Sequence, residues 1–428
     1  MKHLVKIISF LLLASLVVAC GSTPTVDQAP ATEPPATSEQ ATEPPAAEEP
    51  AAEPEAPAEP VLSANEQLAK DNEVGPYQPA VDDWDAIEAA AKAEGKLIIY
   101  SNSSRVADAA ASFAELYPEI TVEANDLGGA EVVIKVREEQ KAGAYTGDLW
   151  LNAQGPDMEG EFIPNQWLWK FVPNELLSVI SEEGQNPVVT TSTEIFGWVY
   201  NTELNETCPI TNWWQITDPE WKGKIFIKDP INSAEDLGML MSFAQHADEV
   251  AAAYKDLYGS DWDTDPQFGS DTPDAGYLWI KKFTQNKPVG EPGSDEVWEA
   301  MATPGMTDNM LGWMPLSKYR NVLSGKAVFT PCVGLEPVVG IQKRNYAAVI
   351  NMAPHPNAAK LFIKFVLSAE GFQPWNQVGQ YSPRTDVEPI EAAVPFKDLN
   401  VWNFDNAYVY KNILDFRDFY AVNLLLNQ

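Results

Sequence analysis

Between residues 97 and 151 short apolar runs alternate with segments of helical spacing, a pattern that fits neither an all-helical bundle nor an all-β sandwich. Leu97-Ile98-Ile99-Tyr100 reads as a buried strand, preceded by a helix over 84–94 that stops at Gly95. Residues 105–116 put Val106, Ala110, Phe113 and Ala114 at helical spacing and end before Pro118. Residues 120–124 are strand-like, 130–142 helical and 148–151 a third strand. Strand, helix, strand, helix, strand predicts an α/β fold whose parallel sheet is linked by right-handed crossovers.

At 428 residues and 45% apolar, the chain exceeds the ~250 to 300 residues that one core usually serves, so two lobes are expected. A second strand-to-helix unit begins with the strand 224–227, ended by Asp229-Pro230. Ser233 then caps a helix that opens on Glu235 and Asp236 and carries Leu237, Leu240, Met241 and Ala244. Residues 357–367 form a further helix with Ala358, Leu361, Phe362, Phe365 and Val366 on one face.

The N-terminus has Lys2 and Lys6, an apolar run over 7–18 and Val17-Val18-Ala19 before Cys20. It resembles a bacterial lipoprotein signal, which implies that Cys20 is lipidated and that the rest of the chain sits outside the cytoplasm, at the cell surface or in a periplasm. No later stretch reaches the ~18 apolar residues of a spanning helix. Residues 22–60 are Ala, Pro, Glu and Thr, too poor in apolar surface to offset ordering entropy. At ~3.1 Å per residue such a tether reaches on the order of 100 Å from a membrane. The formal net charge of −34 disfavours attraction to nucleic acid or an anionic bilayer.

"TNWWQITDPEWKGKIFIKDP", from Thr211 to Pro230, resembles a segment of the extracellular solute-binding proteins of ABC importers, the group that includes ferric-iron and phosphorylated-sugar binders. "KLIIYSN", "FAELYPEITVE", "FGWVYNTEL" and "APHPNAAKLFIKFVLSAEGFQ" match that family's landmarks in order, over about residues 96–384. The resemblance implies a type II periplasmic-binding fold, two doubly wound α/β lobes joined by hinge strands. It implies a signal peptide over 1–20, a tether over 21–80 and lobe 1 over 81–195, with 328–380 returning to it. Lobe 2 would span 196–327, with 381–428 packing on it. The implied partners are a small-molecule solute and the transmembrane subunits of an ABC permease, and the implied state is a lipid-anchored monomer. Trp213, Trp214 and Trp221 would be packing residues.

In open α/β sheets ligands bind beyond the carboxyl ends of strands. The first strand empties into Ser101-Asn102-Ser103-Ser104-Arg105, donors suited to a phosphate, sulfonate or carboxylate, although Ser103 or Ser104 would equally serve as a helix cap with Arg105 in solvent. The second ends at Gly128-Gly129, which permit close backbone approach or simply a tight turn. The third leads to Asn152. Thr191 precedes "FGWVYN", where the resemblance implies a crossing between lobes, and lobe 2 offers Trp313, Lys318, Tyr319 and Arg320. Trp313 would stack on a sugar or amine, or belong to the core. In the family's ferric binders adjacent tyrosines hold the metal; this sequence has no Tyr-Tyr pair, which points to a polar, anionic solute such as a sugar phosphate.

Cys208 and Cys332 either pair in an oxidising compartment or stay apart. Asp261, Asp263 and Asp265 begin like a calcium loop, but Pro266 and Thr272 stand where Gly and Glu are needed, so a solvated loop is expected there. No hydrolase elbow, zinc helix or phosphate loop occurs, so no enzyme, no metal site and no cofactor is expected. The alternatives are a ferric-iron, cation or polyamine receptor of the same fold, or a surface glycan-binding lipoprotein, which would display some of the 14 tryptophans on an exposed platform.

Overall fold

The computed structural model describes residues 62–392 and 395–426, so the signal segment, Cys20 and most of the tether lie outside the described residues. The compact unit Val61–Gln428 is described by itself. The tether ends earlier than residue 80. Ala64–Asp71 is a helix closed by a reciprocal Ser63–Glu66 capping box, and Ala69 and Val74 are buried. A single turn of apolar contact anchors this short element, too little to register as periodicity.

The first strands are β1 (Lys96–Ser101), β2 (Thr121–Asp126) and β3 (Leu149–Asn152), with both neighbours parallel to β1. Helix α1 (Trp84–Glu94) ends at Gly95, whose φ of 68° is the left-handed conformation glycine accepts without penalty. Helices α2 (Val106–Leu116) and α3 (Gly129–Ala142) make the crossovers. Leu97 and Ile99 of β1 are wholly buried, as expected for a strand flanked on both sides.

Strand β4 (Val189–Asn201) then leaves this half of the molecule. In the second half β5 (Ile225–Lys228) lies parallel to both β6 (Val289–Glu291) and β7 (Leu311–Pro315). Strand β8 (Gly340–Ile350) returns antiparallel to β4. The order is β2-β1-β3-β8-β4-β7-β5-β6, so two long strands belong to both halves. The Tyr346-to-Val349 end of β8 pairs with β3, whereas the Phe196-to-Tyr200 end of β4 pairs with β7. Their shared register shifts between Asn345 and Tyr346.

Each half has its own core. Around α2 and α6 (Pro356–Val366), Phe113 packs edge-on against Phe362 at 5.1 Å and Phe365 at 5.5 Å. Beyond the crossing strands, between α4 (Ala234–Gln245) and α5 (Ala275–Gln285), Phe243 stacks on Trp279 at 3.9 Å. Trp213 Nε1 donates to the Val338 carbonyl at 2.6 Å and Trp214 Nε1 to that of Val250 at 2.8 Å, so both indoles are buried with their polar atoms met. Cys208 and Cys332 are joined by a disulfide, with Cα atoms 5.1 Å apart. Helix α7 (Asn406–Leu426) buries Val409, Phe416 and Tyr420 in the second core. It also touches the first half: a Cβ on Gly155 would come within 2.1 Å of the Asn406 side chain, and one on Gly160 within 2.1 Å of the Tyr410 ring. Among the described residues no helix is long and apolar enough to cross a membrane.

Candidate ligand-binding cleft

The carboxyl ends of β1, β5 and β7 open on one cavity of about 280 Å³ between the two halves. Asn102, Ser103 and Arg105 reach it from the β1 end, Lys228 from the β5 end, and Ser317, Lys318 and Arg320 from the turn after β7. The crossing strands form its floor with Glu194, Phe196, Lys343 and Asn345; Glu235 and Asp236, in the first turn of α4, face it, and Trp375 and Gln380 close one side.

Five cations therefore meet three carboxylates in a chain whose overall charge is strongly negative. Lys228 Nζ lies 3.2 Å from Asp236 Oδ2, Lys343 pairs with Glu235, and Lys318 Nζ sits 2.7 Å from Asp295 Oδ2. Burial raises the Asp236 pKa, and the neighbouring Glu235 adds to the rise; Ser233 Oγ donates to its carboxylate. Glu235 stays low, because Lys343 and Lys228 outweigh the burial that would raise it. The two guanidinium groups form no close ion pair among the described residues, although Glu194 and Asp108 act on Arg105 and Asp295 on Arg320 from farther off. Arg105 Nη1 donates to Gln380 Oε1 at 2.7 Å, and Arg320 Nη1 to the Ser317 carbonyl at 3.2 Å. Burial lowers the Arg105 pKa, and the like charge of Arg320 lowers it further. Two like charges that face one cavity without close ion-pair partners can both donate to an acceptor placed there.

A second chamber of about 820 Å³ continues from the first and shares Asn102, Lys228 and Glu235 with it. Gly128 and Gly129 form part of its wall; a Cβ on Gly129 would come within 2.8 Å of Gln154 Nε2, so the close neighbour there is the chain's own side chain.

The sequence-named residues divide accordingly. Asn102, Ser103, Arg105, Lys318 and Arg320 share the inner cavity, while Gly128 and Gly129 line the outer. Ser101 and Thr191 border a small crevice beside the inner cavity, where Ser101 Oγ accepts the Ser103 N–H at 3.1 Å. Four expectations need correction. Ser104 points outward and is exposed. Asn152 is fully buried and holds loops together, donating to the Gly129 carbonyl at 3.1 Å and accepting the Gln154 N–H at 3.3 Å. Trp313 is buried in the core between Trp198 at 5.2 Å and Trp213 at 5.3 Å and does not line the cleft. Tyr319 packs edge-on against Phe329 and Phe396. Among the described residues no tryptophan is exposed, so none displays the indole surface expected on a glycan-binding platform.

Lys228, Glu235, Asp236, Lys343, Asn345, Trp375 and Gln380 escaped sequence reading. Lys228 was findable, since it ends a strand just before Asp229-Pro230. Glu235 and Asp236 carried only the signature of a helix start, and nothing local marks Lys343 or Gln380.

Known structures share this architecture. The iron-bound HitA of Pseudomonas aeruginosa aligns with a TM-score of 0.58 at 16% identity, over 76% of this chain and 99% of that one. The periplasmic binding protein P5PA aligns with a TM-score of 0.56 at 17% identity, over 77% and 99%. The Trichodesmium IdiA (FutA) protein in complex with iron and citrate gives 0.56 at 14% identity, over 77% and 99%. The fold is that of the type II periplasmic-binding proteins. No family model and no curated protein matches the sequence.

Proposed function

We propose that this chain is an extracytoplasmic substrate-binding protein, lipid-anchored through Cys20, that captures a small organic or oxyanionic solute between its lobes and delivers it to an ABC permease. One observation carries the reading: Arg105 from one half and Arg320 from the other converge on a single polar cavity, and neither is held in an ion pair among the described residues, although Glu194 on the cavity floor acts on Arg105 from a distance. An anion bridging both gains more in the closed form than in the open one, which is the differential affinity that drives closure. The protein makes and breaks no bond.

Iron is the second reading, and the comparisons fit it better than a phosphate: the HitA structure is iron-bound and the IdiA structure holds iron and citrate. Among the described residues no group of three His, Cys, Asp or Glu is placed to hold a metal ion, and Glu235 and Asp236 are engaged by lysines. A ferric ion would therefore arrive as an anionic chelate that supplies its own oxygens and meets the same two arginines.

A thermal-shift screen with inorganic phosphate, sugar phosphates, sulfonates, ferric citrate and polyamines tests both readings, since a native-state ligand raises the melting temperature by mass action. Anionic hits are expected, with Arg105→Ala and Arg320→Ala each weakening them at least about tenfold. Hits confined to polyamines, or anion affinities unchanged in both variants, would sink the proposal.

A further inference from the structure

The outer chamber has a cation with no ion-pair or hydrogen-bond partner among the described residues. Its other cations are committed: Arg137 forks onto Glu161 at 2.9 and 3.0 Å and reaches Asp157 at 3.0 Å, while Lys228 is held by Asp236. Arg417, from the middle of α7, faces the same chamber. Its Nε is shielded from solvent and meets no hydrogen-bond partner, and its guanidinium forms no ion pair among the described residues. The Nε itself is closed to a guest, but the side chain that faces the chamber, unpaired with any carboxylate among the described residues, can donate to an acceptor from outside the chain.

Part of the chamber wall is aliphatic, set among polar residues that include Glu131 and Asp157. Val133 and Ile134 of α3 line it beside the Gly128-Gly129 backbone, and Ile134 is 56% exposed, with aliphatic surface facing the opening. A bare inorganic oxyanion at Arg105 and Arg320 would leave this space and Arg417 unoccupied.

We infer that the cleft takes an extended organic dianion: one anionic head lies at Arg105 and Arg320, the carbon body crosses the passage at Asn102 and Lys228, and a second acidic group is received by Arg417. The inference rests on the anion-site reading above and adds a specificity-determining residue on the C-terminal helix. It also explains why α7 contacts both halves, since a residue carried on it is placed at their common opening.

Isothermal titration of the full chain with 6-phosphogluconate, sorbitol 6-phosphate and inorganic phosphate tests it, because the first two share a linear six-carbon body and differ in the terminal carboxylate. The wild type is expected to bind 6-phosphogluconate roughly tenfold tighter than sorbitol 6-phosphate, the effect of one charge-assisted contact. Arg417→Gln, which keeps the aliphatic stem, should erase that preference and leave the other two affinities unchanged; Arg417→Lys should restore part of it. Arg105→Ala should weaken all three alike. Equal affinity for the two six-carbon probes in the wild type, or an Arg417→Gln loss shared by inorganic phosphate, overturns the second subsite while leaving the anion head intact. Binding of none of the three overturns both.

Discussion

At the scale of single residues, local chemistry and tertiary placement separate most clearly at Asp265. In sequence it belongs to an alternating-Asp loop expected to be solvated, and Asp261 and Asp263 are indeed exposed. Asp265 is instead buried, accepting from Tyr254 Oη at 3.0 Å, Lys282 Nζ at 2.7 Å and the Gln267 N–H at 2.8 Å. Burial raises its pKa, yet the Lys282 and Gln267 contacts outweigh that and hold it below the ordinary aspartate value; burial and Asp265 together push Tyr254 up to about 12. The native state therefore releases this proton more readily than the unfolded chain does. Its contribution is complete above the unfolded value of ~3.9 and fades as pH falls through the lower native one. Asp265→Asn is expected to cost about 1–3 kcal/mol at neutral pH, with the gap to wild type closing below about pH 4 in urea titrations. A gap independent of pH would show that the lost contacts, and not the charge, carry the effect.

Among the elements, α7 shows what periodicity cannot see. An amphipathic helix announces itself by one apolar stripe, but this one packs on α4 and α5 with one side and on the Gly155-to-Phe162 segment with another, so its apolar residues run round the axis. The β1-to-β3 unit was legible because each of its elements is covered in the ordinary way. The disulfide is an element-level device too. Residues 124 apart in sequence are joined, tying the chain beyond β4 to the segment before β8 within the second core. On loop-closure grounds, Cys208→Ser with Cys332→Ser should lower unfolding stability by about 2–5 kcal/mol. Chemical denaturation of the double variant measures this, and because both cysteines lie away from the cleft, anion affinity should be unchanged.

For the whole molecule, the decisive feature is that β4 and β8 belong to both halves of one continuous sheet, with their register shift at Asn345, a residue that itself lines the inner cavity. Bending there changes the distance between Arg105 and Arg320 without disturbing either core. Small-angle scattering should therefore show a smaller radius of gyration on saturation with a bound anion, and the Arg320→Ala protein should contract less at equal occupancy. An unchanged radius would mean that binding occurs without closure. The sequence by itself determined the alternating α/β architecture and the strand ends from which Arg105, Lys318 and Arg320 reach the cleft, because hydrophobic period, caps and turn residues are local. Only the tertiary structure decided that Lys343, Gln380 and Arg417 join them and that Trp313 and Tyr319 do not. Those outcomes depend on which face of a strand or helix meets a partner tens or hundreds of residues away, and no local pattern encodes that meeting.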